Sequence, residues 1–199
     1  MAVEKTLVSK MLVPGTHRRI YAIDRHIGLS MAGLVADGRQ LVNRAREEAL
    51  GYKKNYGSEV PPHVLAERMG QYVHYYTLYG SVRPFGASII IAGYDADEKK
   101  SSLHLIEPSG VTNSYRGCAI GKGQQAAKTE IEKYKLFDLT CREAMKYVAK
   151  ILHTLHDEVR HPFELEMSWL CEESKWQHRL VPDNLRDEVD KWAKQAIED

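Results

Sequence analysis

Four groups of side chains in this 199-residue chain have the types and spacing of chemistry. Gly121-Lys122-Gly123-Gln124-Gln125-Ala126 has the spacing of a dinucleotide fingerprint, in which glycines let a phosphate approach the backbone at a helix N-terminus. The flanking segments read as antiparallel, however, and no strand about 20 residues on ends in an acidic residue within a βαβ unit, as that motif requires. A tight turn against a sheet accounts for it better. His153, His156, Asp157 and His161 carry metal-ligating atoms, but Leu152, Leu155 and Val159 define the buried face of their helix, and His161 precedes Pro162. No cysteine or second histidine pair completes a four-ligand set, so no metal site is expected. Ser81, Ser88, Ser109 and Cys118 are candidate nucleophiles, yet none sits in a nucleophile elbow or beside an identifiable base. Tyr72, Tyr75, Tyr76 and Tyr79 could stack on bases. Their helical spacing makes core packing the simpler account, with Tyr75 at an interface. On these grounds the chain has no visible active site and no cofactor.

The elements that position these residues follow from periodicity. Leu65, Met69, Tyr72, Tyr76 and Tyr79 fall at alternating four- and three-residue steps, a helical stripe broken by Arg83-Pro84-Phe85-Gly86. The apolar run Ala87 to Ala92 suits a strand covered on both faces. Before it, residues 2–8, Arg19 to Asp24 and His26 to Leu34 read as strands, with a turn at Pro14-Gly15. Asp37 is expected to cap a helix whose stripe is Leu41, Ala45, Ala49, Tyr52 and Tyr56, and Gly57 to end it. Pro61-Pro62 opens the next helix. After Asp95, strands over Leu103 to Ile106 and Val111 to Ile120 make a meander, and a helix begins at Gly121-Lys122-Gly123. Thr140 and Glu143 form a capping box for a helix carrying Met145, Val148, Leu152, Leu155 and Val159. Phe163 to Glu172 alternates as a half-buried strand, and Pro182 leads into a last helix with Leu185, Val189, Trp192 and Ala196 on one side. Two antiparallel sheets, each covered by a helix pair, would bury every stripe. The reading is an α+β, helix–sheet–sheet–helix sandwich in one domain, residues 1–199.

Composition narrows the function classes. Lys+Arg is 28 against Asp+Glu 27, which gives no basic field for nucleic acid. Three widely spaced cysteines fit reduced thiols better than a disulfide framework. No apolar run approaches the ~20 residues that span a bilayer, and no signal-peptide pattern opens the chain. The expectation is a soluble intracellular protein.

At Arg83-Pro84-Phe85-Gly86 the chain resembles a known family. The run YTLYGSVRPFGASIIIAGYD (Tyr76 to Asp95) is similar to the proteasome core-particle α subunits, where a tyrosine-rich helix ends in RPFG or RPYG before a central strand. Ser30 to Ala49, Ile106 to Lys133 and Cys141 to Val159 agree in the same order. GCAIGKGQQAAKTEIEK, and HDEV followed by FELEMSW, are most similar to the eukaryotic α type-3 class, the seventh α position of the ring. The resemblance covers nearly the whole chain. It implies the four-layer αββα fold of the N-terminal-nucleophile hydrolases and a non-catalytic, structural place in the outer α ring of the 20S proteasome. That place serves ring assembly, substrate-entry gating and docking of regulatory particles in ubiquitin-dependent and other protein degradation. The implied partners are neighbouring α subunits, β-ring subunits and a regulatory ATPase cap or other activator, with no nucleic acid and no membrane. The implied location is cytoplasmic and nuclear.

Active β subunits of the family use an N-terminal threonine whose own amine is the base, with an acidic residue and a lysine. Here the similar acidic position is Glu4, and the paired-lysine position reads Arg18-Arg19, which cannot relay a proton. A free amidohydrolase of the same fold is the alternative. The resemblance places Arg19 in the inter-subunit pocket that receives the C-terminal tails of regulators, lined also by Gly33 and Leu34; a surface arginine on a strand edge, or a pocket this subunit does not use, is the other reading. It makes Tyr76, Tyr79, Arg83, Pro84, Phe85 and Gly86 the signature, with a role in assembly. The family's N-terminal helix and first strand have no counterpart in this sequence. Phe85 and part of the tyrosine stripe are accordingly expected to be more exposed than in a complete subunit.

Overall fold

In the computed structural model, which describes residues 1–6, 9, 11–13, 15–135, 138–156 and 163–198, hydrophobic periodicity resolves into eight strands and five helices. The expected strand residues 7 and 8, Pro14, and the segment with Asp157, Val159, His161 and Pro162 lie outside the described residues. Strands β2 (Ile20–Asp24), β3 (Ile27–Gly33), β4 (Ala87–Asp95), β5 (Lys100–Ile106) and β6 (Thr112–Tyr115) form an antiparallel sheet in chain order. Strands β1 (Ala2–Thr6), β7 (Phe163–Trp169) and β8 (Arg179–Leu180) form a second, in which β1 and β7 pair from Ala2↔Met167 to Thr6↔Phe163. The helices are α1 (Val35–Tyr56), α2 (Pro62–Tyr75), α3 (Gln124–Glu132), α4 (Cys141–Leu155) and α5 (Asp183–Glu198). Among the described residues no helix is long and apolar enough to cross a membrane.

The expected sandwich is present. Leu41, Val42 and Ala45 of α1 and Leu65, Ala66 and Met69 of α2 pack on Ile27, Leu29, Met31, Ile89 and Ile91, one face of the five-stranded sheet. Met145 and Ala149 of α4 and Val189 and Ala193 of α5 pack on Leu165 and Met167 of the other. Strand β4 is covered on both faces, as its isoleucine run requires. The expected capping box is complete at Thr140 and Glu143, and Gly57, at φ +75°, closes α1 with its N–H on the Lys53 carbonyl.

Five local expectations change. Strand β7 is not half-buried: Glu166 and Ser168, on the face opposite Leu165 and Met167, are buried too, because the first sheet covers that face. Helix α2 ends at Tyr75 rather than running to the proline corner. Tyr76, Thr77 and Leu78 donate to carbonyls three residues back, and the Thr77 hydroxyl competes for the His74 carbonyl at 2.7 Å. Strand β6 covers Thr112–Tyr115 only, and α3 starts one residue after Gly123. Asp37 is not the cap of α1. Leu34 holds that position without a side-chain bond, and Asp37 sits in the first turn, turned to another partner.

Candidate functional site

That partner is the proline corner. Pro84 fixes a break after the turns that follow α2, and Arg83 reaches back across it to α1. Its Nη1 lies 2.6 Å from Asp37 Oδ2 and its Nη2 2.8 Å from Oδ1, a two-pronged ion pair. The Gly86 N–H donates to Asp37 Oδ2 at 2.8 Å. The Arg83 hydrogen bonds, then the Gly86 N–H, hold the Asp37 carboxyl down at about 2. Its place in the first turn of α1, beside unpaired backbone N–H groups, favours the same charge. The backbone closes the joint: the Leu34 N–H donates to the Gly86 carbonyl at 2.8 Å. Gly33 stands at φ +119°, where a Cβ would lie 2.3 Å from that carbonyl oxygen. Only glycine fits both the dihedral and the gap.

Arg19 meets this joint from the side. Its Nη1 donates to the Gly33 carbonyl at 3.3 Å, and its backbone N–H donates to the buried carboxylate of Glu166 at 2.9 Å, tying the two sheets. The Leu34 side chain is exposed beside it. Arg19, Gly33 and Leu34, suggested as a pocket, and Arg83 and Gly86, suggested as a signature, therefore form one continuous patch organised by Asp37. The role of Asp37 is not legible in the sequence, because an aspartate before an apolar helix looks like a cap and its partner Arg83 lies 46 residues away.

Phe85 points inward. It is 8 % exposed and packs between Tyr72 and Tyr76, whose ring centres lie 5.8 and 4.7 Å away. The exposure expected here falls on Tyr75 and Tyr79, about half exposed and 4.9 Å apart, with Leu78 exposed beside them. Arg83, Asp37 and the Gly86 N–H are paired with one another. The arrangement holds backbone rather than a reactant.

The other candidates are dispersed. His153 is buried with Nε2 2.8 Å from Asp190, and the His156 Nδ1 lies 3.0 Å from Glu4 Oε2. Burial pushes the Cys118 thiol up to about 11, away from nucleophilic thiolate. Glu4, opposite Leu165 in the ladder, shares the helix-covered face of the second sheet, whereas the Arg19 N–H meets Glu166 on the opposite face. The two positions similar to catalytic ones are not brought together.

This two-sheet sandwich is matched over residues 1–170 by a family model described as proteasome subunit. The chain belongs to the proteasome subunit family. It is 55 % identical over 200 residues to proteasome subunit alpha type-3 of Acanthamoeba castellanii, covering 100 % of this chain and 79 % of that one. It is 54 % identical to the alpha type-3 subunit of Arabidopsis thaliana, covering 100 % and 80 %. To the probable proteasome subunit alpha type-7 of Schizosaccharomyces pombe it is 42 % identical over 199 residues, covering 100 % and 78 %.

Proposed function

We propose that this chain is a non-catalytic α-type subunit of the 20S proteasome that builds the outer ring and supports substrate-entry gating and regulator docking. The carrying observation is similarity over the whole of this chain and about four fifths of each relative, at 50 to 55 % identity, to several subunits named alpha type-3. Absence of catalysis is supported by Glu4 and Arg19 lying against opposite faces of one sheet and by an arginine where a proton-relaying lysine is needed. Its partners are neighbouring α subunits, the β ring and a regulatory ATPase cap or other activator, and its location is cytoplasm and nucleus. The chain taken from its own cells should run, by native mass measurement, inside a complex of several hundred kilodaltons. A stable isolated monomer, or covalent labelling of this chain by a threonine- or cysteine-directed active-site probe, would overturn the reading.

The patch at Arg19 is the place for a regulator tail. Its guanidinium spends one donor on the Gly33 carbonyl and keeps others for a terminal carboxylate, and Leu34 offers an apolar wall. Particles carrying Arg19→Ala should bind ATPase tail peptides at least several-fold more weakly. Unchanged binding removes Arg19 from this role.

A further inference from the structure

The β2–β3 turn and the loop between α1 and α2 bring Asp24, His26 and Glu59 together, with one ligand atom of each within 4.8 Å of the others. The His26 ring decides what this cluster is. Its Nε2 lies 2.8 Å from the Val60 carbonyl oxygen, and because a carbonyl only accepts, Nε2 carries the hydrogen. In the neutral ring Nδ1 is then a bare lone pair. That atom is buried without a hydrogen-bond partner. The side chain is only 9 % exposed, and Nδ1 faces the Glu59 carboxylate, whose Oε2 is 3.5 Å away. Three electron-pair donors thus converge, an arrangement that favours a cation.

A second ring proton would also supply that charge. The 3.5 Å separation is longer than the ~2.9 Å of an ordinary N–H···O bond. It is close to the about 3.3 Å edge of a tetrahedron with zinc bonds of ~2.0–2.1 Å. A ligating histidine typically donates its other ring N–H to a carboxylate or backbone carbonyl, as His26 does to Val60. Asp24 Oδ1 accepts the Arg25 N–H at 2.7 Å, which leaves Oδ2 to turn inward, and Glu59 is exposed enough to close the remaining gap.

We propose that Asp24, His26 and Glu59 bind one first-row divalent cation, zinc or manganese, with the remaining coordination open to water. One imidazole nitrogen and two carboxylates suit these metals better than calcium or magnesium. The bound ion would tie the α1–α2 loop to the β2–β3 turn. To test this, the untagged full chain is stripped with a chelator, dialysed, and titrated near neutral pH with zinc chloride or manganese chloride by calorimetry. Cobalt absorption reports the geometry. The expected result is one equivalent per chain, weakened about tenfold or more by Glu59→Gln and by Asp24→Asn, with a zinc-dependent rise in Tm that both variants lose. Both substitutions keep the side-chain shape at partly exposed positions, and circular dichroism checks that the variants fold. Failure of both metals to bind stoichiometrically, or binding that survives both substitutions, overturns the proposal. So does a pH-dependent stability difference between wild type and Glu59→Gln without metal binding, which would identify a protonated His26 paired with Glu59.

Discussion

Asp37 accepts from two guanidinium nitrogens and one backbone N–H, so a single carboxylate joins the start of α1 to the entry of β4. Replacing it by asparagine removes the charge and puts a donor against Arg83. Asp37→Asn should therefore lower Tm more than Arg83→Ala, which leaves the Gly86 contact intact; equal effects in thermal melts would mean that the guanidinium alone holds the joint. His178 is a different case. Burial pulls its ring down to about 4 from an ordinary value of 6.5. The unfolded chain gains a proton as pH falls through 6.5, and the folded chain resists until about 4. Stability is therefore lost across that interval as pH falls, by about 2–3 kcal/mol. Urea melts at the two ends of the interval should show it, and His178→Asn should flatten the difference. The same ring fills the space above Gly28, where a Cβ would come within 2.1 Å of it. Of these residues only the Thr140–Glu143 capping box could be read directly, because its partners are three positions apart. Asp37 with Arg83, and Asp24 with Glu59, are tens of residues apart and meet only through the fold.

At the scale of elements, periodicity located the helices and most strands, since burial of one face is a local property of sequence. It failed where coverage comes from elsewhere. The polar alternation of β7 looked like a wet face, but Glu166 lies between sheets and is satisfied by the Arg19 N–H. The stripe of α2 continues in sequence to Tyr79. In fact Tyr76 follows the last helical turn and is held by the Phe85 ring and by a 3.1 Å contact between its hydroxyl and that of Tyr72. Two-residue β8 had no periodicity to find. The corner predicts its own fragility. Phe85→Ala empties a buried cluster of three rings and should cost about 3 kcal/mol in chemical denaturation. A loss under 1 kcal/mol would show that the tyrosines collapse into the gap.

Across the whole molecule, the two sheets are assembled from very different distances along the chain. Every strand of the five-stranded sheet and both helices on it lie between Ile20 and Tyr115, with neighbours paired in chain order. The three-stranded sheet instead pairs Ala2 with Met167 and Thr6 with Phe163. On simple chain statistics, closing a loop of that length costs about 4–5 kcal/mol, a cost the sequential hairpins of the first sheet largely escape. Time enters the architecture here. The segment from Ile20 to Tyr115 should acquire order first, and β1 should join β7 only after α4 and α5 have gathered around it. Pulse-labelled hydrogen exchange during refolding should protect the amides of β3 and β4 ahead of those of β1. The reverse order would mean that β1 and β7 pair early. If the later step is slow, the edge of β7 that β1 covers stays open to pairing with another strand until β1 returns to it.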